Sequence, residues 1–287
     1  MKWASGLSGI IMSFSISFLG VDFAFSQETY KDIISKAKNL SLQKDRLQAT
    51  KILIRAAQKE RGSAKKELIQ TLQELSELFY TEKGQQLFEL GQSLKFTALS
   101  TSIERYQEAL QLEPSNVEVL RALTRAHLTL GACERSLEFS QMLLDSNPFD
   151  EEHTLLRLQS IFCGNQVAAT KETLETADVK RVELKIYFDM MRAQALITEE
   201  KLTSAEQLLE KIVLQDKAYP ESFLLLANLK KRQKKDFLEP AKKYLDLCKG
   251  LNPQTRTKYR FEPRLCTEEK KVEAEVEESE TKRTTGV

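Results

Sequence analysis

Glycine and proline are scarce in this chain, ten and six in 287 residues, and aromatic residues make up only 8%. That scarcity counts against a turn-rich sheet fold, and the abundance of Lys, Glu, Leu, Gln and Ala suits helices. Histidine occurs twice, at His127 and His153. No Ser–His–Asp set, HExxH, P-loop or GxGxxG is present, so the sequence offers no recognisable catalytic apparatus and an enzyme is not expected. His127 falls at a core position of its helix, whereas His153 opens a helix and is expected to be exposed. No CxxC appears, which removes a thioredoxin-like redox role, and no Cys–His cluster has metal-ligand spacing. No cofactor and no metal are expected. The net charge is only +1, so no global field draws the chain to nucleic acid or to an anionic surface.

A long hydrophobic run is also missing, except at the start. Residues 1–26 carry one lysine, an apolar stretch from Leu7 to about Val21, and Ala24-Phe25-Ser26 as a small–x–small end. This is the pattern of a secretory signal peptide, with export to a periplasm or beyond as the expected address. The stretch is short for a membrane span of about 20 residues. An uncleaved N-terminal anchor is the alternative, and only then would the membrane be a partner.

Beyond residue 26 the apolar residues recur at helical spacing. Segments 28–40, 44–59, 64–80 and 85–97 read as helices, the last two either separate or one kinked rod. Then come 100–112, 117–130, 134–145 and 150–162, a short 166–177, and 181–198, 203–216, 221–234 and 238–250. Pro114 and Pro148 stand 34 residues apart, and a small residue sits twelve positions before each, Ser102 and Ser136. Ala241 and Pro253 repeat that spacing. A small residue lets the second helix of a pair approach the first, and a proline stops it and turns the chain into the next unit.

A 34-residue helix–turn–helix unit ending in proline resembles the tetratricopeptide repeat, or TPR. The bulky aromatic usual early in the first helix is replaced by Leu120 and Leu225. The resemblance implies an all-α solenoid of about five to six helical hairpins. Residues 27–98 would be diverged N-terminal hairpins, 99–253 the repeats, and 254–287 a C-terminal extension with a disordered charged tail. It also implies a scaffold that holds a protein partner, an extended peptide or a helix, in a concave groove lined by the first helices. With the leader, the partner would be another cell-envelope protein. A carbohydrate-binding or catalytic use of the groove is the remote alternative.

Within that frame, Arg121 and Arg125 lie one turn apart on a first helix and could grip a carboxylate or an acidic peptide. Arg121 could equally pair with Glu118 or Glu134. Gln159 and Lys230 hold comparable places on later first helices. Four cysteines, Cys133, Cys163, Cys248 and Cys266, allow three pairings in an oxidising compartment. Cys133 and Cys163 follow the first helices of successive repeats, which favours Cys133–Cys163 and Cys248–Cys266. Free thiols with Cys248 in the core are the alternative. Residues 267–287 hold seven Glu against four Lys or Arg and are expected to be disordered. The basic run at 230–235 is either a site for an anionic partner or a solvated helix end.

Overall fold

The computed structural model describes residues 29–164, 170–177 and 179–285. The leader read over residues 1–26 lies outside them. Helices dominate, and no strand occurs among the described residues. Three helices, α1 (Tyr30–Leu42), α2 (Arg46–Lys59) and α3 (Gly62–Glu77), form an N-terminal unit around Leu53, Leu68 and Leu72. Antiparallel hairpins follow: α4 (Glu82–Leu94) with α5 (Leu99–Leu112), and α6 (Val117–Leu130) with α7 (Cys133–Ser146). Next are α8 (Glu151–Cys163) with the short α9 (Thr170–Thr176), α10 (Val182–Thr198) with α11 (Leu202–Gln215), and α12 (Pro220–Arg232) with α13 (Leu238–Lys249). The chain ends in α14 (Pro253–Lys258) and α15 (Glu269–Thr285). This is the all-α hairpin array that the 34-residue period implies.

The small residues act as their spacing demands. Ser102, Ser136, Ala205 and Ala241 are at most 1% exposed, each on the second helix of its hairpin. At the first of them, the Ser102 hydroxyl donates to the Gly91 carbonyl at 2.7 Å. A Cβ on Gly91 would stand 2.5 Å from the Tyr106 ring, so only glycine allows α4 and α5 this separation. Close approach seats Tyr106, 1% exposed, in the core with Leu87 and Leu120.

Chain reversals depend on left-handed residues, and most are not glycine. Gly131 turns α6 into α7 at φ +70°. Lys44, Glu200 and Lys234 do the same for three other hairpins at φ 58–63°. L-residues pay about 1–2 kcal/mol for this conformation, which explains why glycine counts do not reveal these turns. Segments 64–80 and 85–97 prove to be two helices, with the break at residues 78–81, where the Thr81 hydroxyl caps α4 by accepting from Gly84 N–H at 3.1 Å.

The N-terminal unit packs across the array: α2 touches α7 and α3 touches α6. Its anchor is Arg46, 3% exposed, paired at 2.8 Å with Glu113, which is fully buried. Glu113 also accepts from Thr81 N–H at 2.7 Å, the Thr81 hydroxyl at 2.6 Å and Tyr80 N–H at 3.0 Å. One carboxylate therefore joins α2, the 78–81 break and the end of α5.

At the other end, the expectation of disorder for 267–287 does not hold over Glu269–Thr285, which is helix α15 packed on α13. Val272 and Val276, one turn apart, are buried against Phe223, Leu245 and Cys248. Around them run Lys249–Glu273 and Lys231–Glu275 at 3.0 Å, Lys242–Glu280 at 2.6 Å and Arg283–Asp236 at 2.9 Å. Exposed pairs of this kind contribute little singly, about 0–1 kcal/mol. Together they set the acidic helix on a basic face, over two buried valines. The basic run 230–235 is thereby engaged: Lys231 by α15, Arg232 by Glu200, and Lys235 by Glu206 at 2.6 Å.

Candidate functional site

Between α14 and α15 the chain leaves the array's end and doubles back over the first helices. Residues 259–268 form this strap, and it binds each helix it crosses. The Pro263 carbonyl accepts from the Thr129 hydroxyl of α6 at 2.9 Å. The Phe261 carbonyl accepts from Gln159 Nε2 of α8 at 3.0 Å. The Phe261 ring meets Tyr187 of α10 edge-on at 5.7 Å, and Tyr259 packs on Tyr219, just before α12, at 4.9 Å. Glu221 of α12 accepts from Cys266 N–H at 2.7 Å. Cys266 is bonded to Cys248 of α13, with Cα atoms 5.6 Å apart. Tyr259 and Phe261 are 2% and 3% exposed. The segment is a run of turns, held through two of its carbonyls and two aromatic anchors.

The two arginines singled out by the sequence meet their own chain. Arg121 pairs with Glu118, with Glu152 at 3.2 Å, with Glu77 at 3.4 Å and with Asp150 at 3.6 Å. Burial alone would lower its pKa, but these four carboxylates outweigh that and raise it. Arg125 pairs with the same Glu152 and lies over the Phe261 ring, 5.7 Å from its centroid. Burial, with Arg121 as a like-charged neighbour, lowers its pKa. So Arg121 ties α3, α6 and α8 together, while Arg125 and Gln159 hold the strap. Lys230 stands apart near the end of α12, half-buried, beside Glu206 and Asp236.

Both histidines are buried. His127, 7% exposed, stacks on Phe139 at 5.4 Å, as its core position implied. His153 corrects the expectation of exposure: its side chain is 0% exposed. Its Nδ1 lies 3.0 Å from the Asn147 carbonyl and its Nε2 3.3 Å from an Arg121 nitrogen. Both contacts are hydrogen bonds only if Nδ1 carries the proton and Nε2 accepts. Burial lowers its pKa, which suits that neutral form. The start of α8 is covered because the turn through Asn147 and the arginine of α6 both fold over it.

All four cysteines pair, Cys133 with Cys163 and Cys248 with Cys266. The first bridge joins the end of α8 to the start of α7, with Cα atoms 5.3 Å apart. Both spacings suit unstrained bridges.

The strap leaves space beside the first helices. A cavity of about 390 Å³ remains between it and α6, α8, α10 and α12. Its apolar wall includes Leu128, Phe162, Met190, Met191 and Leu225, and its polar part includes Gln159, Gln194, Glu221 and Glu262. Burial, then the neighbouring Glu262, pushes the Glu221 carboxyl up to about 8. Burial also raises Glu262, whose Oε2 accepts from the Tyr219 hydroxyl at 2.7 Å. Sequence reasoning found Gln159 but missed both glutamates and all the strap aromatics. A visible signal existed: Tyr259, Phe261 and Pro263 are the only such residues in an otherwise polar stretch from 254 to 264.

No protein-family model matches the chain, and no curated protein does either. Solved structures do resemble it. YrrB, described as a TPR protein with an unusual peptide-binding site, shares 15% identity over 56% of this chain and 84% of its own, with a TM-score of 0.41. PilF of Pseudomonas aeruginosa shares 17% over 71% and 92%, with a TM-score of 0.46. A tetratricopeptide repeat protein from Parabacteroides merdae shares 15% over 85% and 92%, with a TM-score of 0.45.

Proposed function

We propose that this chain is an exported, non-enzymatic scaffold of the cell envelope that binds a partner's peptide or helix along the face of its first helices. One observation carries the reading. The chain's own strap, a non-helical run of turns, already lies there, hydrogen-bonded by Thr129, Gln159 and Glu221 and anchored by Tyr259 and Phe261. A surface that holds one non-helical segment through its backbone is suited to another, because backbone recognition is tolerant of sequence. A partner would use the part left open beside the strap, with Arg125 and Gln159 at one side and Asn228 of α12 at the other. Export is supported by the leader pattern of residues 1–26 and by the pairing of every cysteine, which belongs to oxidising compartments. The apolar run at residues 7–21 favours a second reading, an envelope assembly factor tethered by an uncleaved leader.

Photo-crosslinkers test the groove. Placed at Asn228 on α12, a crosslinker should capture a discrete envelope protein. Placed at exposed Lys211 on α11, it should not. Equal capture from both positions would count against the groove. Intact mass decides the address: a chain beginning near Gln27 with no alkylatable thiol fits export, and a chain beginning at Met1 fits the tether.

A further inference from the structure

The cavity beside the strap is chemically one-sided. Several donors around it are already engaged. Gln159 Nε2 donates to Phe261, the Thr198 hydroxyl to the Gln194 carbonyl and the Thr267 hydroxyl to the Arg264 carbonyl. Arg264 pairs with Glu268 at 3.1 Å. Apart from the Asn228 and Gln194 amides, what remains is mostly acceptors. Gln159 is 7% exposed, and its Oε1 is buried with no partner. Gln194 Oε1 is in the same condition. Leaving a buried acceptor unmet is costly, so these two oxygens call for a donor. Glu221 and Glu262 add two carboxylates that face each other's charge with only Arg264 nearby to offset them, and Glu268 adds a third. The last turns of α6, α8 and α10 reach the cavity through Leu128, Phe162 and Thr198, which brings the negative ends of three helix dipoles to it. The opposite wall, with Met190, Met191 and Leu225, is apolar. The volume lies in the range of small-ligand sites, about 300–1,000 Å³.

We propose that this cavity binds an alkylammonium group on an apolar stem, the chemistry of a lysine side chain presented by the scaffold's partner. The ammonium, with three donors and no acceptor, would meet the Glu221–Glu262 pair and the two glutamine oxygens. Its methylene stem would lie against the methionines. This deepens the scaffold reading by naming what the partner inserts, but the site itself does not require a protein partner. The cation would take the place of the proton that the carboxylate pair otherwise retains, so binding should release a proton and strengthen from pH 6 to pH 8.5. The groups facing the pair are Tyr187, Tyr219, Tyr244, Arg264 and Glu268.

The test uses the full oxidised chain and calorimetric titration at pH 8.5. Pentylammonium should bind saturably and 1-pentanol should not. Glu221→Gln retains an oxygen for Cys266 N–H, so the strap stays in place, yet it should weaken pentylammonium about tenfold or more, the size of one charge-assisted bond. If Glu221→Gln fails to fold, judged by circular dichroism and thiol accessibility, Glu262→Gln serves, since its amide oxygen still accepts from Tyr219. Absence of saturable pentylammonium binding to the folded wild type overturns the proposal, as does undiminished binding by the folded variant. Two short peptides separate the sources, one with a central lysine and one with norleucine in its place. Preference for lysine supports both the site and the scaffold. Equal binding of the two overturns the amine site and leaves the scaffold standing. Pentylammonium binding without binding of either peptide supports the site and assigns it to a free amine.

Discussion

Replacing Glu113 with glutamine should loosen the N-terminal unit from the hairpin array. The side chain keeps its shape and one oxygen for Thr81 and Tyr80, but it loses the charge facing Arg46. Arg46 is 3% exposed and stays bound to the carbonyls of Leu78 and Pro114, over the Tyr80 ring at 4.3 Å. It cannot reach solvent without dismantling that junction. Removing one partner of a buried ion pair costs about 3–5 kcal/mol, which is a large share of a typical total of about 5–15 kcal/mol. Arg46→Met removes the opposite charge, and the double variant Arg46→Met/Glu113→Gln should recover much of the loss, because no buried charge is left uncompensated. Urea unfolding followed by circular dichroism measures all three. The pH dependence carries a second signature. Burial pushes Glu113 upward, but its bonds from Thr81, Arg46 and Tyr80 outweigh that and hold its pKa below the usual value. Its contribution is therefore present above the ordinary carboxylate pKa and lost as pH falls through the lower, folded-state value. Glu113→Gln should lack that acid-side loss. A cost under about 1 kcal/mol for Glu113→Gln, the value of an exposed pair, would refute the reasoning.

Three further outcomes follow from the same geometry. Reducing Cys248–Cys266, which closes 18 residues, should cost about 3 kcal/mol and speed amide exchange across 259–285, while α1–α7 stay protected. Lys44→Gly relieves a left-handed lysine at φ 63° and should stabilise the chain by about 0.5–1 kcal/mol in urea. Glu221, raised to about 8 in the fold, favours the folded state most fully below the ordinary carboxylate pKa. That contribution is lost as pH rises through about 8, so the melting temperature should fall between pH 6 and pH 9, and Glu221→Gln should flatten the fall.

The repeat frame was legible because its causes are local. Helical periodicity, a small residue at 102, 136 and 241, and a proline twelve positions later each act within one hairpin. The Cys133–Cys163 pairing followed from that frame, since residues on one edge of successive hairpins come close in space, and Cys248–Cys266 from a fold-back of 254–265 onto the last helix. The strap and α15 were not legible, because what holds them lies elsewhere in the chain. Nothing near Glu269–Thr285 makes that helix stable except a basic face some forty residues away and a bridge to Cys248. Val272 and Val276, spaced four apart within an acidic run, were the one local hint. Arg121 and Arg125 were correctly placed on one helix face. Their partners Glu77, Asp150 and Glu152 come from other helices, so no helical spacing within α6 could show that the pair is engaged within the chain.

The measurement that bears most directly on the groove is crosslinking from within the strap. A photoreactive phenylalanine analogue at position 261, activated in the oxidised chain and mapped by peptide mass spectrometry, should attach to α6, α8 and α10, within residues 117–198. Attachment confined to residues 250–285, or only between separate molecules, would mean that the first helices do not hold the strap. The scaffold reading would then lose the observation that carries it.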